Sequence, residues 1–417
     1  NSVAGNTVLG EGALDAAVSG GSNTALGFNS LTANTSGGFN TAVGAESLEA
    51  NTTAANNVAV GWRSLHDNTS GAQNTAVGVS ALAQNQSAHN NIAVGFLALT
   101  ANQTGVNNVA VGSLALDENV SGAQNVAVGR QALGANTTAN NNVAVGDSAL
   151  GTNSTGASNT ALGSAALFGN TSASNNTAVG KDALATNSTG TQNNGFGVNA
   201  LTANTTGDFN CAFGTNSLSS NTTADNNTAI GVNSLLANQT GTNNTCIGRD
   251  AGLNVSSGSN NLLLGHDAGT GNAPSGTVNN ENNFVCLGDN NISNAHIKVA
   301  FTTGSDKRDK TDIEDFKFGL DWVNKMRPVT YRWDNRDWYD NGNPDGSKKA
   351  PQLELGLIAQ EELEIEKEFG FADTKENMLI SSVNPSGSYG MKYERIIPVL
   401  INAIKELSAK VTALESK

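Results

Sequence analysis

The first 269 residues carry almost no positive charge. They hold four basic residues (Arg63, Arg130, Lys181 and Arg249) against thirteen acidic ones, a balance of −9, and the rest of the chain brings the net charge to −14. No basic patch is available to neutralise phosphates, so nucleic acid is not expected as a partner. Cysteine is scarce as well: Cys211, Cys246 and Cys286 form an odd set without metal-ligand spacing. They read as small buried side chains, and neither a metal nor a cofactor is expected. No apolar run is long enough to span a bilayer and no signal peptide opens the chain, so membrane insertion is not expected. The chain begins within a pattern and without methionine, as a piece of a longer protein would. His66, His89, His266 and His296 are scattered and read as surface residues, and none lies beyond residue 296.

What is present is a repeat. Glycine recurs every 17 residues at sixteen positions from Gly10 to Gly265. Four residues before each lies an asparagine, and four residues after lies a leucine, Leu14 to Leu235, until Gly252 and Gly269 replace it. Asn, Thr, Ser, Gly and Ala dominate, a mixture that resembles disorder until the spacing of the apolar residues is seen. Asn40-Thr41-Ala42-Val43 is a short segment with alternating faces, ended by Gly44; Leu48 adds a second apolar anchor, and Asn51-Thr52-Thr53 begins a polar turn. A unit of this length predicts one coil of a parallel β-solenoid over residues 1–269. Sixteen coils spaced by about 4.8 Å give a rod roughly 75 Å long. The invariant asparagine is expected to stack into a ladder, its amides bonding to their equivalents above and below.

Burial is thin. About one Val, one Leu and one or two Ala per coil, at roughly 1.5–3 kcal/mol per large side chain, are set against the ordering of a whole coil. Association of chains would supply the missing burial, and a homotrimer is expected. The Asn-Thr-Ala-Val-Gly core resembles the YadA-like head repeats of trimeric autotransporter adhesins, whose usual unit is shorter; similar repeats occur in phage tail-fibre shafts. Tracts such as Asn68-Thr69-Ser70 and Asn102-Gln103-Thr104 match the N-glycosylation pattern but recur because the turn recurs. Asp67, Asp117, Glu118, Asp147 and Asp182 form no recurrent pair of the kind a glycosidase needs.

Residues 270–304 break the register. Thr270 to Asn283 reads as a loop, Phe284 to Gly288 as a last solenoid-type strand displaced to 23 residues after Gly265, and Ile297 to Phe301 as another strand. This segment is a shaft terminus or a small tip.

From residue 305 the composition changes: three of the four tryptophans and five of the six prolines follow. Ser305, Asp306, Arg308, Lys310 and Ile313 fit the S-D-x-R-x-K-x-x-I opening of the endosialidase-type intramolecular chaperone domain of phage tailspikes and tail fibres. Leu320 to Trp333 resembles that family's helix and R-P-V-x-Y-x-W strand, Leu355 to Glu361 its G-x-I-A-Q-E segment, and Tyr393 to Leu400 its Y-x-x-L-I-P-L-L helix entry. A small α+β domain over 305–417, ending in a helix over 398–417, is expected. Pro398 suits a first helical turn. Leu400, Ile404, Leu407, Val411 and Leu414 alternate by four and three, the seam of a short coiled coil.

The resemblance implies self-cleavage between Gly304 and Ser305. A serine hydroxyl can attack the carbonyl of its own preceding peptide bond, giving an ester that water opens. With no histidine from 305 onward, a Ser-His-Asp triad within this domain is excluded, and Lys310 is the candidate base if burial or neighbouring cations favour its neutral amine. Gly304 leaves the attacked carbonyl open, and Asp306 and Arg308 are possible supporting residues. The fold expected is mainly β: a trimeric parallel solenoid followed by an α+β chaperone domain with a coiled-coil helix. The function expected is that of a viral tail fibre or spike, assembled in the host cytoplasm and carried on the virion tail. It would contact other tail components and bind a host glycan or protein receptor. A cellular trimeric adhesin and a polysaccharide-degrading tailspike are the alternatives, and autoproteolysis is the only chemistry the residues suggest.

Overall fold

The computed structural model describes every residue except 1, 2, 4, 293, 299–302, 340, 385–386 and 417. It falls into two compact units, one of Asn1–Ala268 with Val278–Leu287 and one of Gly269–Thr277 with Gly288–Lys417.

The first unit is a parallel β-solenoid whose 17 three-residue strands form one sheet. β1 (Thr7–Leu9) pairs in register with β2 (Thr24–Leu26), and the same shift of one repeat carries the sheet to β16 (Leu262–Leu264). β17 (Val285–Leu287) pairs with β16 as well, so the solenoid closes with the strand anticipated at 284–288, after a longer excursion. Ile297 and Lys298 are not in a strand, and the remainder of that expected strand lies outside the described residues.

Each coil turns on glycine and on residues in the left-handed region. Gly129, at φ 139°, is ordinary for its column: a Cβ there would lie 2.3 Å from the Gly146 carbonyl oxygen of the next coil. Coils stack so closely at this point that no side chain fits. The buried leucine itself is left-handed, as at Leu48 (φ 51°), Leu116 (φ 55°) and Leu167 (φ 52°). A non-glycine residue held there costs about 1–2 kcal/mol. The conformation aims its side chain inward while its N–H still bonds to the next coil (Leu48 N to Ser64 O, 3.0 Å).

The core is narrower than the pattern suggests. The central strand alanine, the residue before the leucine and the leucine are buried, but the third strand residue is not: Leu26, Leu162 and Phe213 are 42%, 47% and 39% exposed. Alternation over three residues sends only the middle one inside. The expected valine therefore leaves the core, and the outer face carries an apolar residue at the third position of all 17 strands, Leu9 to Leu287.

Two asparagine columns are buried, not one. The column four residues before each glycine bonds mainly to backbone, with amide-to-amide contacts at a few rungs such as Asn125 Nδ2 to Asn108 Oδ1 (3.2 Å). The N–H of Asn40 donates to Asn23 Oδ1 (2.9 Å) and Asn40 Nδ2 to Ala54 O (2.9 Å). The second column, Asn34 to Asn238, forms the amide-to-amide ladder: Asn51 Nδ2 donates to Asn34 Oδ1 (2.9 Å) and to Ala54 O (3.1 Å). These are the asparagines of the N-x-[ST] tracts. Asn68 and Asn102 are wholly buried with their amides engaged, which accounts for the tracts as turn chemistry. Cys246 and Cys286 are buried as expected, whereas Cys211, first in its strand, is half-buried.

The second unit packs an aromatic core. α1 (Leu320–Val323), α2 (Ala359–Glu368) and α3 (Ile396–Glu415) surround Trp322, which stacks on Phe369 at 4.8 Å and donates from Nε1 to buried Glu362 Oε1 (2.8 Å). Buried Glu366 accepts from the backbone of Leu379 (2.6 Å), Ile380 (3.0 Å) and Ser381 (2.5 Å), tying α2 to β20 (Ser381–Val383). α1 meets α3 closely: a Cβ on Gly319 would lie 2.5 Å from the Ala403 nitrogen, and Glu406 Oε2 takes the Leu320 N–H at 3.1 Å. Trp322 alone of the three tryptophans is in this core; Trp333 is 57% exposed.

Candidate active site

Ser305 and Lys310 flank a short turn. Asp306 accepts the Arg308 N–H at 2.9 Å and so caps a single 3₁₀ turn, Lys307–Asp309, which Lys310 closes by donating its N–H to Lys307 O (3.3 Å). A tight turn of this kind brings back a residue five positions on. Lys310 Nζ lies 2.6 Å from Ser305 Oγ. The sequence spacing is meaningless until the turn is seen; with it, hydroxyl and amine are in hydrogen-bond contact.

Asp306 and Arg308 face each other. Arg308 Nη2 reaches Asp306 Oδ2 at 2.6 Å and its Nε reaches both carboxylate oxygens at 3.1 Å. The Arg308 guanidinium holds the Asp306 carboxyl below its ordinary range, and the carboxylate in turn raises Arg308. Both therefore act on the shape of the turn, and Arg308 is directed at the carboxylate rather than at Lys310. Lys310 is itself exposed. Gly304 is unobstructed, with nothing within 4 Å of a Cβ placed on it.

The dyad opens onto a cleft of about 540 Å³ lined by Thr303, Gly304, Phe316, Leu379, Ile380, Glu394, Arg395, Pro398 and Val399. Motif by motif, the second unit converges. β18 (Val329–Tyr331), in the R-P-V-x-Y-x-W stretch, pairs antiparallel with β19 (Glu354–Gly356), which leads into the G-x-I-A-Q-E stretch, and Arg327 pairs with Glu361 across them. Tyr393, opening the fourth motif, accepts the Leu357 N–H on its hydroxyl (3.1 Å), and the residues that follow it line the cleft.

The sequence of residues 305–371 matches the family described as chaperone of endosialidase. The match supports a chaperone domain of that type at the C-terminus. It takes in the first three motifs and the whole turn; the Tyr393 to Leu400 segment lies beyond it. No curated protein and no solved structure matches the chain.

The seam residues stand apart from the cleft. In α3 only Val399 and Ala403 are buried, while Leu400, Ile404, Leu407, Val411 and Leu414 are 42%, 67%, 52%, 45% and 69% exposed. The helix does not spend this stripe on its own domain.

Two clusters in the solenoid escaped sequence reasoning because their members come from adjacent coils. Glu46, Glu49 and His66 bring ligand atoms within 4.8 Å of one another, as do Asp250, His266 and Asp267. Their only signal was a one-repeat spacing, of Glu49 and His66 in the first and of Asp250 and Asp267 in the second. His66 is not a plain surface residue: Glu49 lies 2.9 Å from its Nε2 and Asp67 2.5 Å from its Nδ1. Each cluster already has an arginine, Arg63 at 3.7 Å from Glu46 and Arg249 at 2.8 Å from Asp250, and reads as an ion-pair network.

Proposed function

We propose that this chain is the subunit of a homotrimeric viral tail fibre or spike, used in attachment to a host surface, whose C-terminal domain aligns three chains and then cuts itself off between Gly304 and Ser305. The observation that carries the reading is the 2.6 Å contact of Lys310 Nζ with Ser305 Oγ, at the start of the sequence that matches the chaperone family.

The chemistry follows from that contact. Neutral Lys310 takes the Ser305 hydroxyl proton as Oγ adds to the Gly304 carbonyl carbon. The tetrahedral intermediate collapses with loss of the C–N bond, and Lys310 returns the proton to the departing nitrogen, which becomes the free α-amine of Ser305. Gly304 is then held to Ser305 Oγ as an ester. Water adds to it, giving the Gly304 carboxylate and restoring the hydroxyl.

Two apolar surfaces outside the core support association: the exposed stripe on α3 and the column, half-buried in most coils, along the third strand position. Sixteen near-identical coils can pair out of register by whole repeats, so a domain that trimerises first fixes the alignment. Its removal leaves a shaft that unwinds only over a kinetic barrier. Sedimentation equilibrium tests the assembly. Wild type should return three chains, and Ile404→Glu with Leu407→Glu a single chain with unchanged far-UV circular dichroism. A monomeric wild type would contradict the reading.

A further inference from the structure

The residue after each strand glycine forms a second outer column, and it changes character along the shaft. At 28, 45, 62, 79 and 96 it reads Phe, Ala, Trp, Val, Phe; further on it holds Ser113, Arg130, Asp147, Ser164 and Lys181. Phe28, Trp62 and Phe96 are 49%, 49% and 53% exposed. The column is locked coil to coil, because the carbonyls of Phe28, Ala45, Trp62 and Val79 accept the N–H groups of Glu46, Arg63, Ser80 and Leu97 at 2.8–3.0 Å. The three rings therefore repeat every second coil, roughly 9.5 Å apart, with small residues between them.

An apolar strip needed to hold chains together would run through every coil, as the third strand position does. This one is continuous over five coils only; beyond them Val198 and Val232 are the column's isolated apolar members, and a contiguous exposed apolar strip of this kind marks a binding surface. Its immediate neighbours are Asn29, Glu46, Arg63, Ser80 and Leu97, hydrogen-bonding side chains in the first four coils, with the Arg63 guanidinium 5.8 Å from the Trp62 ring centre.

Aromatic faces at a fixed interval beside polar groups suit a ligand that presents an apolar face and hydroxyl edges at the same interval. We infer that this column is a binding track for an extended β-1,4-linked polysaccharide. Each ring stacks on the C–H face of alternate pyranose units, and the neighbouring column bonds to their hydroxyls. The disaccharide repeat of such a chain matches two coils, whereas chains that coil do not keep step with a rigid solenoid. The proposal supplies the ligand class for the attachment reading and rests on it.

The test uses the full chain. Affinity electrophoresis through gels cast with hydroxyethyl cellulose, an extended β-1,4-glucan, should retard wild type, and dextran should not. Apparent affinity should fall about tenfold in Trp62→Ala and be lost in a Phe28→Ala, Trp62→Ala, Phe96→Ala variant of unchanged melting temperature and oligomeric state. Trp62, the only tryptophan before residue 322, supplies a direct probe: with 5-fluorotryptophan incorporated, its ¹⁹F resonance should shift on adding cellohexaose. Absence of retardation in wild type, or retention unchanged in the triple variant, overturns the proposal. Adsorption of labelled protein to a panel of bacterial cells separates the two claims. Adsorption that persists in the triple variant refutes the track and leaves attachment standing, and no adsorption of either protein to any cell counts against attachment itself.

Discussion

Asn119→Ala removes one rung of the inner amide ladder, and its cost can be worked bond by bond. Asn119 Nδ2 donates to Asn102 Oδ1 (2.8 Å) and Gly122 O (3.0 Å), and its Oδ1 accepts from Asn136 Nδ2 (2.8 Å). Gly122 O keeps Asn108 Nδ2 at 2.8 Å and Asn136 keeps Ala139 O at 3.2 Å. Asn102 Oδ1 is the acceptor that loses its Asn119 donor. Three buried hydrogen bonds at about 1 kcal/mol each, with about 1 more for that acceptor, come to about 4 kcal/mol. In a solenoid each coil depends on its neighbours, so the damage stays local. Hydrogen-exchange mass spectrometry of the full chain should show amides of coils 102–139 exchanging close to three decades faster than wild type, with coils beyond 200 unchanged. Asn119→Asp keeps the shape but buries a carboxylate that cannot donate when ionised. Burial raises its folded-state pKa above the unfolded one, so the lesion is full at neutral pH and lessens as pH falls through the raised value. Exchange in Asn119→Ala within a few-fold of wild type would refute the ladder as a source of stability.

Other predictions follow from the same geometry. Gly129→Ala places a Cβ 2.3 Å from the next coil's carbonyl oxygen at a strained φ and should cost about 3 kcal/mol or more, read as a lowered melting temperature. Gly304→Ala, with open space around it, should leave stability and self-cleavage intact. Burial raises the Glu362 carboxyl, opposed by its bond from Trp322 and aided by Glu366. Its protonated form is therefore favoured by folding, and the second unit should gain stability from this group as pH falls from neutral through the raised value, with no further gain below the ordinary glutamate range. Glu362→Gln keeps an acceptor for Trp322 and should abolish that pH dependence, seen as the difference between the two thermal transitions.

The period and the in-register stacking were legible because a crowded coil-to-coil contact admits only glycine and repeats without exception. The left-handed leucines were not, since a buried Leu looks the same in any backbone region. Nor was the second ladder, because Asn51-Thr52-Thr53 has the composition of an exposed turn and its burial depends on the coil closing over it. Val43 and its equivalents read as core from hydrophobicity alone. A three-residue strand has one inward position, and alanine takes it. In the second unit the serine and lysine were legible through the motif around them, while the turn that joins them depends on the Asp306 cap and the Arg308 fork. Trp333 lies two residues beyond β18 and meets Tyr331 edge-on at 5.4 Å, and no other ring among the described residues covers it, so a large aromatic of a kind usually buried stays exposed.

The central claim is tested most directly by the intact mass of denatured protein from wild type, Ser305→Ala and Lys310→Ala purified in parallel. Wild type should yield a fragment beginning at Ser305 and a shaft ending at Gly304, while both variants stay full length. An uncut wild type in its trimeric form, or a Lys310→Ala variant that cuts as wild type does, would contradict the assignment of serine as nucleophile and lysine as base.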